Sequence, residues 1–133
     1  MAGQPVTRSL GERIEALYGQ PLADLHAHAD QRSGGNLLAA LLTTLTDLDL
    51  ADRRIAFEQA RLRLLAHPER ELDRADTGHI ADCARRLAES VAVRDAHVQS
   101  LTAVLDSLHR TPAAEAPPAV PAPPPSPAPA PAR

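Results

Sequence analysis

Four charged side chains in the middle of the chain have types that could act together: Asp49, Asp52, Arg94 and His97. Asp52 and Arg94 each interrupt an apolar run at helical spacing, which points both toward the interior of a helix pair. A buried arginine needs a carboxylate partner, because an unpaired internal charge is strongly destabilising. The pattern predicts an ion pair that sets the helix register, with an exposed ion pair as one alternative. The other alternative is a small helical enzyme, whose arginine would hold an anionic substrate while a carboxylate or histidine moves protons.

A second candidate functional site, a possible metal site, lies at residues 24–30, which read DLHAHAD. The string DLHAH resembles the metal-binding His-x-His motif of amidohydrolases and related metal-dependent phosphoesterases, and the resemblance ends there. In those proteins the motif ends a β-strand and later strands add ligands, whereas helix is predicted around it here. Residues i and i+2 point to different sides of a helix, so His26 and His28 are poorly placed to share a metal. We expect a solvated helix face, with a metal site as the weaker alternative, and no cofactor.

The elements that must position these residues are helices. Leucine and alanine dominate residues 9–110, and no segment alternates polar residues with β-branched ones. This composition favours helix over strand. The sequence therefore predicts an all-α helical bundle domain over residues 9–110, preceded by a flexible N-terminus at residues 1–8.

Two short helices come first in the predicted order. Ser9 and Glu12 are spaced as a capping box, which would begin a helix that ends at Gly19. A second short helix is predicted over residues 21–31, before a Ser-Gly-Gly break.

Two long helices follow. Asn36 is the predicted N-cap of a helix over residues 37–66, and Asp76 or Thr77 that of a helix over residues 78–109. Both carry apolar residues at alternating spacings of three and four, which is typical of a coiled-coil seam. The short connection predicts an antiparallel hairpin, in which the numbers of facing residues add up to about 143.

Residues 111–133 consist almost entirely of proline and alanine. Proline lacks an amide donor and fixes φ, so this tail is expected to be disordered and extended. Two PxxP segments, at 118–121 and 121–124, could bind a proline-reading domain. Neither has an arginine at the usual offset, so a spacer is the preferred interpretation.

The composition also narrows the class of partner. The longest strongly apolar run, residues 37–42, is too short to span a membrane, and no secretory signal is visible. Cys83 is the single cysteine and cannot form an internal disulfide, so we expect a cytoplasmic protein. A formal net charge of −3 argues against nucleic-acid binding.

The leucine seams suggest what the protein does. A hairpin cannot bury two wide leucine stripes by itself, and small domains have little core to spare. We therefore expect a protein partner or a homodimer that completes a four-helix bundle. The predicted function is that of a non-enzymatic interaction or scaffold protein, acting through helix–helix packing.

Overall fold

A computed structural model describes residues 5–32 and 35–110, together with residues 125, 127, 130 and 131. Over the described residues the chain is all-helical, as predicted, and the two long helices pack against each other. The helices are α1 (Pro5–Tyr18), α2 (Leu22–Gln31), α3 (Leu37–Leu65) and α4 (Arg74–Arg110). None of these four combines the length and the apolar content that a membrane crossing requires. Most of the tail predicted to be disordered, residues 111–133, lies outside the described residues.

α1 starts earlier than the sequence predicted. It begins at Pro5 rather than after the predicted cap Ser9, so residues 5–8 are helical instead of flexible. Proline suits a first helical turn, because the amide it lacks would have no partner there. Gly19 follows the helix, as predicted, with φ at 68° and its N–H donating to the Glu15 carbonyl at 2.7 Å. Glycine adopts this left-handed conformation without the strain a side chain would add.

α2 is capped by a side chain from α1. Pro21 precedes α2 and offers no capping side chain. The Glu15 side chain takes that role, because its Oε1 accepts a hydrogen bond from the Leu22 N–H at 2.8 Å. The start of α2 is therefore fixed by the position of α1.

The two long helices begin at side-chain caps of their own. Asn36 caps α3, as predicted, and its Oδ1 accepts a hydrogen bond from the Ala39 N–H at 2.7 Å. At the start of α4, Asp73 accepts from the Asp76 N–H at 2.8 Å and Asp76 accepts from the Asp73 N–H at 3.3 Å. This reciprocal pair is a capping box closed by aspartate. The cap is thus Asp73, and the predicted caps Asp76 and Thr77 lie inside the helix.

The main core lies where all four helices meet, and we name this part the four-helix end. Gly11 allows α1 to pack closely against α2, since a Cβ at this position would lie 3.2 Å from the Leu22 side chain. An ion pair between Arg13 and Asp106, at 2.6 Å, joins α1 to α4. The buried cluster consists of Leu10, Ile14, Leu25, Leu38, Leu41, Leu42, Leu45, Leu48, Leu101 and Leu105.

Farther along, α3 and α4 pack only against each other within the described part of the chain. We name residues 53–65 and 74–93 the two-helix arm. Ile55 and Cys83 are buried between the two helices, together with the charged Glu58. The arm therefore holds a much smaller apolar interior than the four-helix end, and a charged residue occupies part of it.

The buried face of α3 narrows as it enters the arm. Leu45, Asp52 and Gln59 form one row at seven-residue spacing in the predicted seam. The first two are buried near α1, where Asp52 accepts a hydrogen bond from Thr7, but Gln59 is exposed. Because α1 no longer covers this side of α3, burial shifts to the neighbouring Glu58, which lies on the side facing α4.

Candidate functional site

A polar cluster joins the helices of the arm, and we name it the Glu58 cluster. Glu58 Oε2 accepts a hydrogen bond from Cys83 Sγ at 3.0 Å, and Oε1 accepts one from Arg86 Nε at 3.2 Å. The Cys83 side chain is fully buried, and Glu58 keeps 8% of its surface exposed. Both partners lie within one turn of the position, about 85, that the predicted register sets opposite Glu58.

The cluster fixes the protonation state of both acidic groups. The hydrogen bond from Cys83 lowers the pKa of Glu58, against the effect of burial, and the charge of Arg86 lowers it further. The same hydrogen bond, together with burial, raises the pKa of the Cys83 thiol. A buried thiol that stays protonated is a poor nucleophile. The cluster is therefore suited to holding two helices together and not to covalent chemistry.

The predicted pair of Asp52 and Arg94 is not formed. Asp52 is buried beneath α1, where its Oδ2 accepts a hydrogen bond from the Thr7 hydroxyl at 2.6 Å. Its Oδ1 is buried without a hydrogen-bond partner among the described residues. Arg94 instead donates to its neighbour Asp95 at 2.8 Å. Among the described residues, the ion pair between α3 and α4 is Glu58 with Arg86.

The other two residues of the predicted alternative enzyme site also lie apart. Asp49 forms an ion pair with Arg53 on its own helix, at 2.5 Å, and lines a cavity beside α1. His97 lines a different cavity, which opens between α3 and α4. Asp49, Asp52, Arg94 and His97 are therefore not gathered into one constellation by the described part of the chain.

His26 and His28 lie on α2, on different sides of the helix. His26 lines two cavities between α2 and its neighbours, whereas His28 lines another with Tyr18 and Asn36. Over the described ranges, no three histidine, cysteine, aspartate or glutamate side chains come together as a metal site would require.

A groove of about 640 Å³ runs between α3 and α4, from the edge of the four-helix end into the arm. It contains the exposed apolar side chains of Leu50, Phe57 and Val93, beside the polar atoms of the Glu58 cluster. Its lining is Asp47, Leu50, Ala51, Arg54, Phe57, Glu58, Arg86, Glu89, Ser90, Val93 and His97. Exposed apolar side chains grouped on one surface are typical of an interaction site.

Leu50, Phe57 and Leu64 form a row at seven-residue spacing on α3, and we name them the apolar row. Phe57 is 62% exposed and Leu64 is 72% exposed. Thr43 is the preceding member of the same row; it is exposed and lines a cavity together with His26 of α2. The row thus begins beside α2 and continues along α3 as an exposed face.

The predicted seam of α3 does not include the apolar row. The residues of the apolar row fall between the seam positions, although their spacing of seven is visible in the sequence. A search for a second apolar face on the same helix would have found them. It would not have shown that α2 ends too early to cover them.

The fold and the groove define an all-helical protein with an open interhelical surface. Neither a protein-family model, nor a curated protein, nor a solved structure matches this chain. Its function is therefore argued from the geometry of the groove and the arm.

Proposed function

We propose that this chain is a non-enzymatic interaction protein that takes a helix into the groove between α3 and α4. The observation that carries this proposal is the apolar row, three large exposed apolar side chains in line on α3, which begins beside the cavity between α2 and α3. A helix laid along this row would use the packing mode by which proteins recognise amphipathic helices, with anchors spaced by about one or two turns.

We expect a bound helix to stabilise the arm more than the four-helix end. Secondary structure is stable when its apolar face packs against another layer, and the arm has a single pair of helices. Taken as an antiparallel hairpin, α3 and α4 would form two sides of a bundle whose remaining sides are open. Burying a large apolar side chain such as Phe57 or Leu64 contributes roughly 1.5–3 kcal/mol when it is removed completely from water.

The proposal is tested with a synthetic helical peptide of 18 or so residues, with leucine at the anchor positions and glutamine elsewhere. The peptide carries a fluorescent label, and its anisotropy is followed as the full chain is added. We expect saturable binding that Phe57→Ser weakens at least about tenfold, which corresponds to roughly 1.4 kcal/mol.

Leu72→Ser is the matched control, because Leu72 is an apolar side chain of similar exposed character outside the groove. It should bind the peptide as the unchanged chain does. Absence of saturable binding, or equal weakening by both substitutions, would show that the groove is not a helix-docking site.

A further inference from the structure

We infer that the helix taken into the groove is α4 of a second copy of this chain, so that two arms close a four-helix bundle around a two-fold axis parallel to the helices. This inference rests on the proposed function and adds the identity of the partner. An interface between identical copies must be complementary to itself, because each surface patch meets the same patch after rotation. If the groove is such an interface, its charged residues must face residues of opposite charge after the rotation.

The groove contains an arginine and a glutamate of opposite charge, one on each helix. Arg54 lies on α3 and Glu89 lies on α4, and both line the groove. Neither forms an ion pair or a hydrogen bond within the described part of the chain. By contrast, Arg53 and Arg86 on the same two helices are already paired with carboxylates of their own chain.

A two-fold axis parallel to the arm sets α3 of one copy against α4 of the other at the same height. The predicted register then places Arg54 of each copy opposite Glu89 of the other. One heptad farther toward the tip, Arg61 faces Asp82, which also pairs with Arg85 of its own chain. At the other end of the groove, Leu50 of one copy faces Val93 of the other, whereas Phe57 faces Arg86 in the same register.

The other way to close the pair is a two-fold axis perpendicular to the helices, passing near Phe57. Arg54 and Arg61 lie on either side of Phe57, so this axis would bring Arg54 of one copy to Arg61 of the other. Like charges brought together at an interface are destabilising. The charges therefore favour the parallel axis, in which Arg54 of each copy faces Glu89 of the other.

The first test is a charge exchange followed by light scattering of the full chain over a range of concentrations. We expect the unchanged chain to have twice the monomer mass of 14.1 kDa. Arg54→Glu and Glu89→Arg should each weaken association at least about tenfold, because each places two like charges at both symmetric positions. The double variant, Arg54→Glu with Glu89→Arg, should restore it.

The outcomes separate this inference from the proposed function. A chain that stays monomeric, or a dimer insensitive to these charges, overturns the inference. If the leucine–glutamine peptide still binds in a Phe57-dependent manner, the docking function stands and the partner is another protein. If neither the peptide nor a second copy binds, both proposals fail.

The second test fixes the direction of the axis. In a Cys83→Ala background, chains carrying Arg54→Cys are mixed with chains carrying Glu89→Cys under mild oxidation, and mixed disulfides are measured by mass spectrometry. The parallel axis predicts efficient coupling between these two chains. Efficient coupling of Arg54→Cys with Arg61→Cys chains instead would overturn it, because only the perpendicular axis joins those positions.

Discussion

α3 runs through two environments that differ in how many helices surround it. At the four-helix end it packs against α1, α2 and α4, and Leu48 there keeps 1% of its surface exposed. In the two-helix arm α4 is its one neighbour among the described residues, and Leu64 of the same helix is largely exposed. The same residue type on one helix thus contributes to the core in one place and to an open surface in the other.

The two regions are also joined differently. Leucine and isoleucine side chains hold the four-helix end together, whereas the arm combines buried Ile55 and half-buried apolar side chains such as Leu62 and Leu87 with the Glu58 cluster. An apolar core tolerates pH change, while a carboxylate held by a thiol and a guanidinium does not. The contrast indicates that the four-helix end supplies most of the apolar core, whereas the arm presents exposed apolar side chains.

The largest effect is expected when the same substitution is made in the two regions of α3. Leu48→Ala should lower the free energy of unfolding by about 2–5 kcal/mol, because it leaves a cavity in the core. Leu64→Ala should change it by less than about 0.5 kcal/mol in the monomeric chain, because the side chain is in water already. Urea unfolding followed by circular dichroism measures both. Equal losses would show that the Leu64 side chain is as deeply buried in solution as that of Leu48.

A smaller loss is expected from Glu58→Ala, which removes the carboxylate that Cys83 and Arg86 share. The thiol is left buried without its acceptor, whereas Arg86 is half-exposed and can turn to water. The melting temperature should fall by an amount between those of the two leucine variants. Glu12→Ala is the matched control, since Glu12 is an exposed helical glutamate without a hydrogen bond or ion pair among the described residues, and it should leave the melting temperature unchanged. A Glu58 variant as stable as this control would contradict a structural role for the cluster.

Much of the fold could be predicted from the sequence because local signals determine it. Asn36 and Gly19 lie at the ends of helices as their residue types suggest, and leucine spacing located the buried face of α3 as far as Ile55. The start of α4 was predicted too late because its capping box has aspartate at both positions, Asp73 and Asp76. The residue types alone do not tell which of the two is the N-cap.

The interhelical contacts were harder to predict because they depend on what else packs nearby. Asp52 interrupts the seam and was paired with Arg94, yet α1 covers that side of α3 and supplies Thr7 as its partner. The buried carboxylate opposite α4 is Glu58, which lies one residue from the predicted seam. Helical spacing identifies the side of a helix, but it does not tell which neighbouring helix covers that side.

The polar contacts of the arm predict a loss of stability in acid. The pKa values of Glu58, Asp76 and Asp82 are all lowered by folding, and all three residues lie in the arm. A lowered pKa stabilises the fold above the ordinary value, near 4, and this contribution disappears as the pH falls through the folded value. The melting temperature should therefore fall below about pH 4.5, and fall less steeply in Glu58→Gln. Identical slopes for both chains would remove Glu58 from this account.

The two caps of the long helices offer a finer comparison of the regions. Asn36→Ala and Asp73→Ala each remove one side-chain cap, which costs about 1 kcal/mol in typical helices. At the four-helix end the loss should appear in the global free energy of unfolding, because the start of α3 is part of the main core. At the arm tip, Asp73→Ala should mainly speed amide hydrogen exchange in the first turn of α4. Faster exchange throughout α4 in that variant would show that the arm and the core unfold as one unit.

The smallest effect is expected at the residue that the sequence placed at the centre of the hairpin. Arg94 bonds to Asp95 beside it on the same helix, in a pair open to water. Exposed pairs of this kind contribute little, so Arg94→Leu should change the free energy of unfolding by less than about 0.5 kcal/mol. It should also leave the solution mass unchanged, because the proposed interface uses Arg54 and not Arg94. A large loss of stability or of association in Arg94→Leu would restore the arginine as the residue that sets the register, and would move the interhelical contact away from Glu58.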